Sequence, residues 1–126
     1  MIRFLIDADS AIYSMVDVQS PVNRRLAALS PGDIAMSAIS FSEIALGTQL
    51  QKPPPADVLD AFVRAIPILP YDDAAAREYA RLPFKRARFD RLLAGHALSL
   101  GATIVTNNEL DFADIPGLKI ENWTIA

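Results

Sequence analysis

Cysteine is absent from this chain of 126 residues, and histidine occurs only once. The lack of cysteine excludes disulfide bonds, thiolate zinc sites and cysteine nucleophiles, and it is compatible with a reducing compartment. A single histidine also excludes most metal sites built on imidazole. The sequence has no recognisable secretory signal and no run of about 20 apolar residues, the length of a membrane span. We therefore expect a cytoplasmic protein that does not enter the membrane.

The composition is that of an ordinary folded protein, with 52% hydrophobic and 21% charged residues. The length is close to the commonest size of one domain and is sufficient for a buried core. We predict a single domain over residues 1–126. The net charge of −3 argues against binding of nucleic acid by bulk electrostatics, although it leaves open a local basic patch.

Short apolar segments rich in β-branched residues alternate with helical patterns, which predicts an α/β fold around a mostly parallel sheet. The predicted strands are Ile2–Ile6, Ile34–Ser37, Ile66–Leu69, Thr103–Thr106 and, with a weaker pattern, Leu118–Glu121. One helix is predicted over residues 56–66 because its apolar residues have the i, i+3, i+4, i+7 spacing of a buried face. Another begins near residue 89 and is expected to end at Gly101.

Acidic residues stand at or near the ends of these predicted elements. Asp7 directly follows the first strand, and Glu43 is expected in the first turn of the helix after the second strand. Asp90 opens the helix before the fourth strand, and Asp111 is expected in the loop after it. In open α/β sheets the functional crevice lies beyond the carboxyl ends of the strands. A pocket of carboxylates without histidine or cysteine predicts a hard divalent cation such as Mg²⁺ or Mn²⁺, which would suit phosphate chemistry.

Each of these acids also has a purely structural interpretation. Glu43 follows Ser40 in "SFSE", which has the pattern of a capping box with Ser40 as the cap. Asp90 would complement the dipole of its helix, and Asp111 would suit an Asx turn. Asp7 is the hardest to explain in this way, because a carboxylate at the end of an almost entirely apolar strand is costly to bury without a partner. The metal hypothesis therefore depends on the acids acting together.

Basic residues are concentrated around Asp90, in "RLPFKRARFDR". The five cations within this stretch are Arg81, Lys85, Arg86, Arg88 and Arg91. Such a patch can hold an RNA backbone through phosphate contacts, but it can also be ordinary solvated surface or a surface for an acidic partner. His96, farther along the same helix, is interpreted as a structural hydrogen-bonding residue, since it lies among small residues.

Four stretches in order closely resemble the PIN-domain ribonucleases, specifically the VapC-type toxins of bacterial type II toxin–antitoxin pairs. These stretches are "FLIDAD…AIY", "MSAISFSEIALG", "ILPYDDAAAREYARL" and "FDRLLAGHALSLGATIVTNNELDFADIPGLKIENW". The resemblance implies a PIN-like three-layer α/β/α sandwich with a central, mostly parallel sheet of four to five strands. It also implies an endoribonuclease that depends on Mg²⁺ or Mn²⁺, RNA as substrate, a homodimer, and a cognate VapB-type antitoxin whose tail occupies the acidic groove.

The resemblance also assigns residues. The family's acids, expected to be both catalytic residues and metal ligands, correspond to Asp7, Glu43, Asp90 and Asp111. The basic patch around Asp90, not the resemblance, leads us to expect that Arg86 or Arg88 contacts the phosphate of the substrate. The family usually has Thr-Asn after its first Asp, whereas this chain has Ala8 and Asp9. Because a hydroxyl is lost and a charge is added, we expect a changed metal preference or changed hydrogen bonding around the ion.

Three other functions are compatible with parts of the sequence. A catalytically silent PIN fold would act only as a binding module. "FLIDADSA" and "TIVTNN" are similar to two motifs of haloacid-dehalogenase-type phosphatases, but that family needs a Lys and an acidic pair well after the second motif, and only 20 residues follow Thr106. A receiver domain would need a phospho-acceptor Asp ending its third strand and a later Lys-Pro, and the sequence has neither.

Overall fold

The sheet at the centre of the molecule is entirely parallel. The structure is a computed structural model, which describes residues 1–83 and 88–125. Within these ranges the sheet has five strands, in the order β3-β2-β1-β4-β5. They are β1 Phe4–Ile6, β2 Ile34–Ser37, β3 Ile68–Leu69, β4 Thr103–Val105 and β5 Ile120–Glu121. Each lies within a predicted strand, and only β2 has both predicted bounds.

Helices connect the strands along the chain. In the described ranges they are α1 Ala8–Val16, α2 Pro21–Ala27, α3 Ala38–Gln49, α4 Ala56–Ala65, α5 Asp73–Ala80 and α6 Phe89–Leu100, with a 3₁₀ helix at Glu109–Phe112. The apolar face predicted for α4 is confirmed, because Leu59 and Ile66 are buried. The predicted end of α6 is confirmed as well, since Gly101 follows it with a left-handed φ of 65°. None of the described helices is long and apolar enough to cross a membrane.

The central strand β1 is buried on both faces, which explains its almost purely apolar sequence. Phe4 and Ile6 point into a core that also contains residues of α1 to α4. Leu5 points to the opposite face, into a core shared with Leu93 and Ala97 of α6. Because successive residues of a strand alternate between its faces, three residues are enough to join both cores. The prediction of a three-layer α/β/α sandwich is confirmed.

The order of the strands creates a crevice at one edge of the sheet. From β1 the chain proceeds outward through β2 and β3, and it then returns to place β4 and β5 on the other side of β1. The crossovers therefore leave in opposite directions from β1 and β4, and a gap opens beyond the carboxyl ends of these neighbours. Asp7 follows β1 and Thr106 follows β4 at this gap.

Helices α5 and α6 approach each other closely at Gly95. A Cβ atom placed on Gly95 would lie 2.7 Å from the backbone nitrogen of Tyr79 and 2.8 Å from its Cα. Because these contacts are with backbone, no side-chain rotation relieves them. The small residue thus permits the contact that holds α6, and with it Asp90, against the rest of the fold.

We expect Gly95→Ala to lower the free energy of unfolding by about 2 kcal/mol, because the added methyl group forces the helices apart. This loss should appear even though alanine normally stabilises a helix by about 1 kcal/mol relative to glycine. Gly47→Ala in α3 is the matched control, because the nearest atom to its added Cβ, the Cβ of Lys52, lies at 3.9 Å. Urea denaturation of both variants measures the difference, and equal changes would contradict the close contact at Gly95.

Candidate active site

Asp7 occupies the end of the central strand and caps the helix that follows. Its Oδ1 accepts a hydrogen bond of 2.8 Å from the backbone amide of Ser10, and its own amide donates to the carbonyl oxygen of Val105 at 2.9 Å. The residue is only 8% exposed. Burial raises the pKa of Asp7, while hydrogen bonds from the Thr106 hydroxyl and from Ser10 oppose that increase. The position of Asp7 is therefore fixed by the end of β4 and by the first turn of α1.

Glu43 lies in the second turn of α3, so its predicted place in the first turn is wrong. The helix begins at Ala38, and its cap is Ser37, whose hydroxyl accepts from the amide of Ile39 at 3.1 Å. The capping box centred on Ser40 is wrong for the same reason, because Ser40 is a buried residue inside the helix. The last residue of β2 is itself the cap, since the strand runs into the helix without a connecting loop.

His96 links the two helices that carry Glu43 and Asp90. Its Nδ1 lies 2.8 Å from the Oγ of Ser37, the cap of α3, and its ring packs against Tyr71 in a T-shaped arrangement. Burial lowers the pKa of His96, which favours the neutral ring. The hydrogen bond agrees with the structural role expected from the sequence.

Asp90 is the second residue of α6, where a negative charge complements the helix dipole. Its Oδ1 accepts from the amide of Arg91 at 3.0 Å. Arg91 is only 3% exposed, so its expected place in a basic surface patch is wrong. Its Nη2 contacts Oδ1 of Asp114 at 2.7 Å, which joins the start of α6 to the segment just after the 3₁₀ helix.

Asp111 lies in the connection after β4, as predicted, and within it belongs to the 3₁₀ helix Glu109–Phe112. The turn begins where the amide of Asn108 donates to the hydroxyl of Thr106 at 3.0 Å. The amide of Asp111 then donates to the carbonyl oxygen of Asn108 at 3.1 Å. Because Phe112 is buried in the core, this short helix is anchored and Asp111 is presented at the surface.

The structure brings all four predicted acids to one open pocket of about 240 Å³. Its further lining residues include Asp9, Ser40, Arg88, Phe89 and Asn108. Of the two predicted phosphate contacts, Arg88 is exposed at this pocket, while Arg86 lies outside the described residues, as does Lys85. The pocket lies at the carboxyl ends of the strands, where the sequence predicted it.

The charges in the pocket act on one another. Partial burial raises the pKa of Glu43, and the charges of Asp9, Asp7 and Asp90 raise it further. Among the residues described, no group of three acidic or histidine side chains is close enough to hold one ion as it stands. The donor set nevertheless fits a hard divalent cation, because it consists of carboxylate oxygens whose mutual repulsion such a cation would relieve.

Thr106 is the site residue that was missed at the level of the sequence. It is fully buried, it hydrogen-bonds to the carboxylate of Asp7, and it starts the turn that leads to Asp111. The sequence did indicate Thr106 as a site residue, because it is the polar last residue of a predicted apolar strand. The bond between Ser37 and His96 had no such signal, since its partners are 59 residues apart.

We expect Asp7→Asn to raise the free energy of unfolding by about 1 kcal/mol at pH 7 without divalent ions, because it removes a buried charge and keeps a capping oxygen. Asp7→Ala removes the same charge but loses the cap, so it should be about 1 kcal/mol less stable than Asp7→Asn. The advantage of Asp7→Asn should fade as the pH falls toward the ordinary pKa of 3.8, since the native carboxyl is then protonated. Urea denaturation between pH 4 and 8 measures this; equal stability of the two variants would contradict the capping role.

A divalent cation should make the unsubstituted chain more stable than Asp7→Asn. At a concentration of 100 times its dissociation constant, Mn²⁺ should stabilise the unsubstituted chain by about 2.7 kcal/mol, while Asp7→Asn should gain far less. Thermal melts with and without Mn²⁺ test this. An equal gain for both chains would remove Asp7 from the set of ligands.

Comparison with known proteins places this geometry in a family. The PIN domain family matches residues 6–118. A curated relative, the tRNA(fMet)-specific endonuclease VapC of Shigella flexneri, is 32% identical over 133 residues, covering 98% of this chain and 100% of that protein. Ribonuclease VapC2 of Rickettsia felis is 27% identical, covering 95% of this chain and 97% of that protein.

Solved structures agree with this match. The structure of VapBC2 from Rickettsia felis bound to a promoter DNA fragment superposes with a TM-score of 0.85 at 26% identity, covering 98% of this chain and 99% of that one. DNA-bound VapBC from Salmonella typhimurium gives a TM-score of 0.83 at 27% identity, with the same coverage. The matched range and the full-length relative together establish that this chain belongs to the PIN-domain family, among its VapC proteins.

Proposed function

We propose that this chain is the toxin of a VapBC-type toxin–antitoxin pair, an endoribonuclease that hydrolyses RNA phosphodiester bonds in the carboxylate pocket. The main support for this proposal is that four acids from separate parts of the chain line one pocket. They are Asp7, Glu43, Asp90 and Asp111. The names of its VapC relatives, tRNA endonuclease and ribonuclease, support the reaction class. The PIN-domain match over residues 6–118 overturns the phosphatase and receiver interpretations.

The acids have distinct parts in this proposal. Asp7 and Asp90 hold the main ion, Mg²⁺ or Mn²⁺, and Glu43 and Asp111 complete the site. When bound, such an ion lowers the pKa of nearby water and offsets negative charge on the phosphoryl oxygens. Glu43 orients the attacking water and accepts its proton, since its carboxylate lines the same pocket as Asp7 and Asp90.

The surface next to the pocket suits the antitoxin. A groove between α1 and α3 shares Asp9 and Glu43 with the pocket, and it is also lined by Leu46 and Leu50. These leucines are 61% and 60% exposed, which is typical of a surface that a partner covers. A VapB-type antitoxin would suit this surface if its apolar helix bound in the groove and its basic tail bound to the acids of the pocket.

Several further parts of the proposal come from the sequence. They are a single PIN domain over residues 1–126, a homodimer, and a cytoplasmic location, where both RNA and the antitoxin would be encountered. Light scattering of the purified chain at micromolar concentration tests the dimer. A monomer at that concentration would contradict it.

We expect Asp7→Asn to lower RNA cleavage by at least about 100-fold, because one of the charges that hold the ion is lost. Induced expression followed by mapping of RNA ends measures cleavage in cells, and a labelled oligoribonucleotide measures it in solution. Asp60→Asn is the matched control, since Asp60 is an exposed acid of α4 outside the pocket. A melting curve establishes that each variant is folded. Undiminished cleavage by Asp7→Asn would refute the assignment of Asp7, whereas a lack of cleavage by the unsubstituted chain would favour a silent binding module.

We expect Arg88→Ala to weaken RNA binding and to reduce the slope of log K against log salt by about one, because one phosphate contact is lost. Arg86→Ala, alone and combined with Arg88→Ala, tests the second predicted contact. Arg64→Ala is the control, since Arg64 is an exposed cation of α4 that does not line the pocket. Fluorescence anisotropy between about 50 and 200 mM salt gives the slope. An unchanged slope would show that Arg88 does not contact a phosphate of the bound RNA.

A further inference from the structure

A large aromatic side chain stands at the rim of the carboxylate pocket. Phe89 is the first residue of α6, directly before Asp90, and it lines the pocket while remaining 52% exposed. Other phenylalanines of the described chain are packed away, with Phe4 only 8% and Phe112 only 4% exposed. An apolar ring that is half exposed to water loses about half of the gain in free energy that full burial would bring.

Within the described residues, local structure does not account for this ring. Phenylalanine is a weak helix former, and the first position of a helix does not need an aromatic residue. The preceding residue, Arg88, makes no side-chain capping bond that the ring would shield. Phe89 is also absent from both buried cores and from the side chains packed against them.

The negative charge of the pocket indicates a role for the ring of Phe89 in binding RNA. An RNA strand entering it meets several carboxylates on a chain of net charge −3, and Arg88 is the one basic residue among the described lining residues. Phosphate contacts alone are therefore a poor source of affinity. Stacking of a base on an aromatic face strengthens binding by roughly 5- to 150-fold, and it does not depend on neutralising phosphates.

We infer that Phe89 stacks on a nucleobase next to the scissile phosphate and so selects RNA in which that base is unpaired. The inference rests on the proposed ribonuclease function and adds a substrate-binding residue to it. A base within an A-form duplex has both faces covered by its neighbours, so it cannot offer one to Phe89. The scissile phosphodiester bond would then lie at the acids, next to a base that is no longer stacked on its neighbours in the RNA.

The test measures binding of a short, unstructured, labelled oligoribonucleotide, with every chain carrying Asp7→Asn to prevent cleavage. Adding Phe89→Ala should weaken binding about tenfold, whereas Phe89→Trp should preserve it, because a larger ring stacks at least as well. The salt slope should stay the same, in contrast to that of Arg88→Ala. Leu110→Ala is the matched control, since Leu110 is 90% exposed and precedes Asp111 but does not line the pocket.

A second readout uses the chains with Asp7 intact. Phe89→Ala should lower kcat/KM for the single strand about tenfold and should reduce the preference for it over a duplex of the same sequence. Circular dichroism and light scattering establish that the fold and the oligomeric state are retained.

The outcomes separate this inference from the function on which it rests. If the unsubstituted chain cleaves RNA and Phe89→Ala binds and cleaves as it does, the stacking role is overturned and the ribonuclease stands. An equal loss in Leu110→Ala, or a change of oligomeric state without a change in RNA affinity, also overturns it. If the unsubstituted chain neither binds nor cleaves RNA, the proposed function fails and the inference fails with it.

Discussion

A buried carboxylate at the end of a buried strand is the constraint on which the site depends. Asp7 must follow β1 directly, because β1 lies between β2 and β4 and its carboxyl end opens at the reversal of strand order. The same side chain caps α1 through the amide of Ser10, so one residue ends the strand, starts the helix and presents a charge to the crevice. The backbone geometry of the crossover and the position of the charge therefore cannot change independently.

The other acids are positioned by contacts that lie beneath the pocket. The Ser37–His96 bond ties the cap of α3 to α6, which fixes the helix of Glu43 relative to the helix of Asp90. The buried guanidinium of Arg91 reaches Asp114 and so holds the segment after Asp111 against the same end of α6. Among the described residues, its Nε and Nη1 make no hydrogen bond, so the Asp114 contact is the polar contact of this buried group.

The strands, the parallel sheet and the edge at which the acids meet could be predicted from the sequence, because each depends on local patterns and on a general rule of α/β topology. Asp7 was the clearest case, since an acid after an apolar strand has few structural explanations. The cap of α3 was not predictable in the same way, because Ser37 and Ser40 both suit a cap and the choice depends on where β2 ends. The burial of Arg91 was also hidden, since its partner Asp114 is 23 residues away and only tertiary structure brings them together.

Without a bound cation, the ionised carboxylates of the site oppose folding. Burial in the crevice raises the pKa of Asp7 and Glu43, and the charges of neighbouring carboxylates raise it further, which means that their ionised forms are destabilised by the folded chain itself. A divalent cation removes that penalty, so its binding free energy adds directly to the stability of the fold. An antitoxin that brings a basic group to the same acids would have the same electrostatic effect without supplying the chemistry. Activation by the cation and inhibition by the antitoxin would then compete for one set of charges.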